Sequence, residues 1–425
     1  GRKIDLDLST LEQQYEKKMF PASIIFDPVK SKEWRKGYRR YHGEQEDSFL
    51  MDFEDDVLSS FQQFKVPAIE LGIDTTREAV CKVFEKVNTG GVTLTVFELV
   101  TATFAASHFN LPEDWKARSE RMRERHSLLK VADGTAFLTA LTLYASFRKA
   151  QSESSAVTCK RKDVLELVVA DYQRLADEME YGFKKAAQLL AEEKIFDPRF
   201  LPLSCICAAL SNQIDNASIK EKVLRWYWCG VFGELYGGAN ETRFSQDLPD
   251  VVDWVNGEDT PRTVKDASFA PRRLLSLQTR ISAAYKGLSI LLMQRGGKDF
   301  ISATPIAINA YFVTPVDIHH VFPKAWCTPK NLPREKWNSV INKTPLSTTT
   351  NQYLSGDAPS LYLKRIEEKK GVPSETLDAC LRSHAIPVEE LRQNAFDDFI
   401  RQRAILLLDM IEAATGKAVS GRDSD

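Results

Sequence analysis

Apolar residues recur three and four positions apart through most of the chain between residues 112 and 290. This spacing places them on one face of an α-helix, where packing against neighbouring helices can bury them. The middle of the chain is therefore expected to be a helical bundle or connector. The segments with the spacing are Ala136–Arg148, Lys162–Leu190, Pro202–Gln213, Ile219–Leu235 and Leu274–Met293.

The first 75 residues follow a different pattern. Short apolar runs, Ser23–Phe26 and Val66–Leu71, alternate with polar stretches that carry aromatic residues. Such runs are typical of strands mixed with helices. Further on, helices are expected over Arg77–Val87 and from about Thr95 to His108.

The pattern changes again near Gly296, where short apolar segments separated by turn signals precede two terminal helices. Asn394 is the expected N-cap of the last helix. Together these patterns predict an α+β chain that is predominantly helical.

Composition sets further limits. The net charge of the 425 residues is -2, so a nucleic-acid partner would have to be held by local basic patches. The seven cysteines include no CxxC pair, which favours reduced, buried thiols over a zinc site. No apolar run reaches the ~20 residues that span a bilayer, and the polar start does not resemble a signal peptide. We expect a cytoplasmic protein with no membrane partner.

The densest chemical pattern is Asp317-Ile318-His319-His320-Val321-Phe322-Pro323, followed by Asn342 and Asn351. Cutting a phosphodiester requires a base to activate water and a cation to offset charge in the transition state. A strand that ends in two histidines can direct one ring to a metal and the other to water. Asn342 could then brace the base, and Asn351 could offer an amide oxygen to the ion. The alternative for the histidine pair alone is a buried, hydrogen-bonded strand end.

These segments resemble a known family. The stretches "DIHHVFPKAW" and "NSVINKTPLSTTTNQYLSGDAPSLYL" are similar to the HNH nuclease domain of GmrSD-type, modification-dependent (type IV) restriction endonucleases. The stretch "VFEKVNTGGVTLTVFELVTATFAA" resembles the end of the ParB-like nucleotidase domain that precedes the nuclease in that family. The resemblance implies a partial ParB-like domain over residues 1–110, a helical connector over 111–290 and a ββα-metal nuclease domain over 291–425.

The resemblance also implies roles for individual residues. His320 falls on the general base, and Asn342 on the middle position of the HNH signature. His319 and Asn351 fall on metal ligands, with Asp317 as an alternative ligand. The implied ion is Mg²⁺ or Mn²⁺, while a histidine ligand also admits Ni²⁺ or Zn²⁺.

For the nucleotidase half, the family places four residues near nucleotide phosphates: Lys86, Asn88, Gly90 and Gly91. The alternative is that the glycines only end a helix. The family's DGQQR-like phosphate loop does not occur in this sequence. Either the sequence is part of a longer protein, which we favour, or nucleotide hydrolysis has been lost. An NTP is expected as a ligand only in the first case.

The family's activity implies a nuclease that cuts modified or phage DNA under nucleotide control, as part of anti-phage defence. Two alternatives stay open. The chain could be a DNA-binding regulator that keeps the nuclease fold without catalysis, or a nucleotide-regulated RNase. A homo-oligomer is compatible with each of these.

Two further features allow two interpretations each. Arg118, Arg121 and Arg125 form a helical stripe that could follow a phosphate backbone, although a solvated charged helix is commoner. The aromatic run Trp226–Trp228 could stack on a flipped base, although its spacing favours the core. Cys205 and Cys207 indicate packing.

Overall fold

The computed structural model describes residues 8–65, 94–195, 201–238, 240–306 and 318–422, with seven further positions between residues 68 and 83. The chain divides into two compact units, Gly1–Thr75 and Thr76–Asp425. The described residues are predominantly helical, as expected. None of the helices in this part of the chain is both long enough and apolar enough to cross a bilayer.

The regular elements described in the first unit are all helical. An aromatic cluster forms its core, in which Trp34 stacks on Tyr38 with 5.3 Å between the ring centroids. The α-helices are α1 (Leu11–Glu16), α2 (Pro28–His42), α3 (Asp47–Asp52) and α4 (Ser59–Gln63). Two 3₁₀ turns (Ala22–Ile24 and Glu44–Glu46) and a π-helical turn (Phe53–Leu58) connect them.

The expected strand at Ser23–Phe26 is wrong. This segment contains a 3₁₀ turn, in which the Ile24 amide donates to the Pro21 carbonyl. A run of three apolar residues, Ile24–Phe26, does not distinguish a strand from a turn, because it is too short to show either period. The runs Val66–Leu71 and Arg77–Val87 lie largely outside the described residues.

The second unit begins its described part with a helical bundle. Its helices are α5 (Val96–Ala105), α6 (Leu111–Arg125), α7 (Gly134–Ala150), α8 (Arg161–Leu165), α9 (Val169–Glu192), α10 (Leu201–Ala209), α11 (Ala217–Phe232), α12 (Asn240–Val255), α13 (Arg262–Asp266), α14 (Arg273–Ser276) and α15 (Ala283–Gln294). A 3₁₀ helix, Ser127–Val131, lies between α6 and α7.

The bundle is followed by a short hairpin and more helices. Strand β1 is Ile318–His320, and strand β2 is Lys343–Pro345. The loop between them holds α16 (Lys324–Cys327), α17 (Arg334–Trp337) and 3₁₀ turns at Thr328–Lys330 and Val340–Asn342. Then follow α18 (Thr348–Leu354), α19 (Pro359–Lys370), α20 (Ser374–Ser383), α21 (Val388–Arg392) and α22 (Phe396–Thr415).

Periodicity located the bundle helices but not all their breaks. The helix expected near Thr95 is confirmed, with Thr95 and Glu98 forming a capping box. The segment Leu274–Met293 is two helices, because the Ser282 hydroxyl caps a new helix by accepting from the Tyr285 amide. Lys162–Leu190 is likewise divided between α8 and α9.

The expected N-cap at Asn394 is wrong by one residue. Ala395 occupies the N-cap position of α22. Asn394 has a left-handed backbone with φ of 56°, and its side-chain oxygen accepts from the Ser360 amide at the start of α19. The asparagine therefore caps a different helix, which sequence spacing alone does not reveal.

The arginine stripe of α6 is only partly solvated, because Arg118 is buried whereas Arg121 and Arg125 are exposed. Arg118 is 8% exposed and donates to Asp114, Asp177 and Glu180. Arg121 donates to the same Glu180 carboxylate at 2.6 Å. Arg118 and Arg121 therefore hold α6 against α9. The aromatic run Trp226–Trp228 and both Cys205 and Cys207 lie in the core, as their spacing indicated.

Helices α9 and α10 approach closely at Gly182. A Cβ atom at this position would lie 2.3 Å from the Ser204 carbonyl oxygen and 2.9 Å from the Ala208 side chain. Since the first of these is backbone, the two helices would have to separate.

We expect Gly182→Ala to destabilise the second unit by about 1–3 kcal/mol through overpacking, despite the better helix propensity of alanine. Gly238→Ala is the matched control, because nothing lies within 4 Å of its added Cβ. Thermal unfolding followed by circular dichroism measures both. Equal melting temperatures for the two variants would show that the close approach is unimportant.

Candidate functional site

The histidine pair lies on a two-stranded antiparallel hairpin. His319 pairs with Thr344, and His320 pairs with Lys343. Cross-strand partners share a face, and successive residues alternate between faces. The hairpin therefore presents His320 with Lys343 on one side and His319 with Thr344 on the other.

Asn342 holds the loop between the strands. Its side-chain oxygen accepts from the Phe322 amide at 2.8 Å, and its Nδ2 donates to the carbonyls of Phe322 and Trp337 at 2.9 and 2.8 Å. The residue is fully buried. Asn342 thus fixes the backbone just beyond His320, since its side chain bonds backbone groups of the loop and not the imidazole.

Helix α18 brings the last signature residue to the first histidine. His319 Nδ1 lies 2.8 Å from Asn351 Oδ1. Ser347 caps the helix by accepting from the Thr350 amide. The buried Asp299 carboxylate accepts from both the Ser347 amide and the Thr350 hydroxyl, and so anchors the same turn.

The His319–Asn351 pair is compatible with a divalent ion. His319 Nδ1 and Asn351 Oδ1 are 2.8 Å apart, which is a hydrogen-bond distance and is also short enough for both atoms to hold one ion. Burial lowers the pKa of His319 to about 4, although its bond with Asn351 opposes the shift. The imidazole is therefore neutral at pH 7, with Nδ1 donating to the Asn351 oxygen in the resting protein. Nδ1 could bind an ion only after that hydrogen had moved to Nε2.

These two residues form only a partial ligand set. Among the described residues, no group of three or more His, Cys, Asp or Glu side chains is close enough to hold one ion. Asp317, the alternative ligand, lies outside them. His319 Nε2 is buried and has no hydrogen-bond partner in the part of the chain that the structure describes. An ion held here would need water and substrate oxygens at its other positions, as Mg²⁺ often does.

His320 is only partly buried, unlike its neighbour. Its Nε2 lies 3.2 Å from Asn338 Oδ1, and Asn338 Nδ2 in turn donates to Gln278 Oε1 at 3.2 Å. Burial lowers the pKa of His320, and the positive charges of Lys343 and Lys324 act in the same direction. A neutral imidazole with reach to solvent is suited to accept a proton.

The sequence interpretation missed Asn338, Gln278 and Lys343. Asn338 precedes Asn342 by four residues and lies in a mostly polar segment, residues 334–339, so no local pattern marked it. Gln278 lies sixty residues earlier, where no local pattern marks it. Lys343 is 5% exposed, and burial lowers its pKa to about 8. Its ammonium group donates to the Gln278 carbonyl at 2.6 Å.

A second buried network supports the hairpin from the His319 side. His384 Nδ1 lies 2.7 Å from the Thr344 hydroxyl, and its Nε2 lies 2.9 Å from the Lys298 carbonyl. Arg403, on α22, is fully buried and donates to the carbonyls of Ile341 and His384. Both strand β2 and the turn before it are thereby tied to the terminal helices.

The residues expected to contact nucleotide phosphates, Lys86, Asn88, Gly90 and Gly91, lie outside the described residues. Their role stays a prediction. The same holds for the assigned roles of the four signature residues, although the structure brings His319 to Asn351 and places Asn342 behind His320.

Comparison with known proteins adds one relative. No protein-family model matches the chain. The chain is 26% identical over 452 residues to an uncharacterized protein, MJ0686, of Methanocaldococcus jannaschii, in an alignment that covers 94% of this chain and 72% of the relative. The similarity therefore runs through both units, and the relative's name states no activity.

The buried histidines make stability depend on pH. Burial lowers the pKa of His384 to about 4, against 6.5 for a free imidazole. The unfolded chain binds this proton more readily, so stability is complete above about pH 6.5 and falls as the pH drops towards 4. The loss is on the order of 3 kcal/mol for one such group.

We expect His384→Gln to remove part of this dependence, leaving the part due to His319. Urea unfolding at pH 7.5, 6 and 5 measures it, with the exposed His108→Asn as control. An unchanged slope of stability against pH in His384→Gln would contradict the assignment.

Proposed function

We propose that the second unit is a metal-dependent nuclease of the HNH type that cuts DNA. One observation carries the proposal: a β-hairpin and the following helix bring His319 Nδ1 to 2.8 Å from Asn351 Oδ1, while the next residue, His320, is a half-buried neutral imidazole. Hairpin, helix and the order of these side chains are the elements that the resemblance to the GmrSD-type family implies.

In the proposed reaction His320 accepts the proton of the attacking water. Its low pKa keeps the imidazole unprotonated at neutral pH. Asn342 holds the backbone after His320 through the Phe322 amide and carbonyl, which limits movement of the ring. Both roles are available in the fold as it stands, so substrate binding does not have to bring the base into position.

His319 and Asn351 would hold the ion. A bound divalent cation would offset the negative charge that develops on the phosphorus oxygens and on the leaving oxygen. The imidazole nitrogen favours Mn²⁺, Ni²⁺ or Zn²⁺ over Mg²⁺, whose preferred ligands are oxygens.

The loop between the strands is suited to the DNA backbone. Residues 321–342 carry four cations, Lys324, Lys330, Arg334 and Lys336, and one acid, Glu335. The first three cations are exposed, whereas Lys336 is bound to Asp397. This local excess of positive charge, next to His320, can bind phosphates although the whole chain has a net charge of -2.

His320→Ala should lower the rate of plasmid cleavage by about 10²–10⁴-fold, because the water loses its base. The substrate is supercoiled DNA, modified and unmodified, with Mg²⁺, Mn²⁺ or Ni²⁺ supplied in turn. His108→Asn is the control, since His108 is exposed and lies in the left-handed region that asparagine tolerates.

Equal cleavage by His320→Ala and the wild type would exclude His320 as the base. An RNA digest run in parallel separates the ribonuclease alternative. Binding of DNA without cleavage under any of the three metals would favour the non-catalytic regulator.

Neutralising the loop should weaken DNA binding and its salt dependence together. The variant combines Lys324→Gln, Lys330→Gln and Arg334→Gln in the His320→Ala background. The slope of log K against log salt should become less steep by about 0.9 for each lost phosphate contact. Fluorescence anisotropy at several salt concentrations measures the slope.

The control carries three exposed substitutions elsewhere: Lys149→Gln, Lys162→Gln and Arg174→Gln. The same slope in both triple variants would place the DNA on another surface.

A further inference from the structure

The segment between α14 and α15 reaches the hairpin and contacts it at three points. The Val340 amide donates to the Leu277 carbonyl at 2.7 Å, and Lys343 Nζ donates to the Gln278 carbonyl at 2.6 Å. The third contact is between side chains, where Asn338 Nδ2 donates to Gln278 Oε1. Gln278 therefore contacts strand β2 through its backbone carbonyl and the loop residue Asn338 through its side chain.

This contact goes with one orientation of the Asn338 amide. With its nitrogen donating to Gln278, the amide turns its oxygen towards His320 Nε2, 3.2 Å away. An amide oxygen only accepts hydrogen bonds, so the imidazole nitrogen that faces it must carry the hydrogen. Neutral His320 then has its lone pair on Nδ1.

We propose that Gln278 and Asn338 are positioning residues that fix His320 in the tautomer with hydrogen on Nε2, so that Nδ1 is the nitrogen that accepts the proton. The tautomer is a property of the resting protein. Only the role of Nδ1 as the proton acceptor rests on the proposed function. The chain of side chains runs from residues assigned to the connector into the hairpin, so the site is completed by both parts of the second unit.

Replacing Gln278 should affect the His320 ring indirectly, through Asn338. In Gln278→Met the Asn338 amide loses the acceptor that orients it, and it can present either its oxygen or its nitrogen to His320. The imidazole then samples both tautomers. Asn338→Ala should have the same effect directly. Loss of one orienting hydrogen bond corresponds to about a tenfold fall in kcat, and KM should change little since neither residue is placed against substrate.

The test uses the full chain labelled with ¹⁵N at histidine, without metal, at pH 7.5. Long-range ¹H–¹⁵N spectra distinguish a protonated from an unprotonated ring nitrogen, and the His320→Ala spectrum identifies the His320 signals. The wild type should show protonated Nε2 and unprotonated Nδ1. Both variants should show shifts averaged between the two tautomers. Gln188→Met is the matched control, since Gln188 is an exposed residue of α9.

Several outcomes would overturn the proposal. One is a wild-type spectrum with hydrogen on Nδ1, and another is unchanged His320 shifts in Gln278→Met and Asn338→Ala. A tenfold rise in KM with constant kcat would instead indicate a role in binding substrate. If the wild type cuts no nucleic acid, the proposed function fails, whereas averaged shifts in the two variants would still support the positioning of His320.

Discussion

The buried amide of Asn342 is the interaction on which the site depends. It joins the two ends of the loop between the strands, because it bonds the backbone of Phe322 and of Trp337. His320 lies two residues before the first of these contacts, and Asn338 immediately follows the second. One side chain therefore sets both sides of the His320–Asn338 contact. Without it, three buried backbone groups would lose their partners, at about 1–3 kcal/mol each.

Burial, more than ion pairing, sets the charge state of the hairpin. Desolvation lowers the pKa values of His319 and His384 to about 4 and that of Lys343 to about 8. Arg403 stays charged, since burial lowers its pKa only to about 9 and two backbone carbonyls accept from it. The hairpin region therefore carries neutral imidazoles beside cationic side chains.

The sequence predicted those parts of the fold that repeat with a helical period. The capping box at Thr95 and the buried aromatic run at Trp226 follow from local rules, because neighbours in sequence determine both. Single polar residues were harder to interpret. Asn394 has the side chain of an N-cap but caps the start of another helix, at Ser360. Such contacts depend on how distant segments pack, which periodicity does not encode.

The candidate site divides in the same way. The sequence could indicate that His319, His320, Asn342 and Asn351 lie near one another, because the hairpin and the next helix are consecutive in the chain. The sequence could not indicate the part played by Gln278, since its contact with Asn338 spans sixty residues. The expected strand at Ser23–Phe26 was wrong for a third reason: three consecutive apolar residues between two prolines fit a tight turn as well as a strand.

The hairpin is too small to be stable alone, since two strands of three residues bury little apolar surface. Its stability must come from the helices around it. Arg403 ties α22 to the turn before β2, and the far end of α22 is held by Arg225 of α11, which donates to the Thr415 and Gly416 carbonyls. Because a helix moves as a rigid rod, these contacts make the bundle the scaffold of the site. The position of His320 is therefore a property of the whole second unit and not of the hairpin alone.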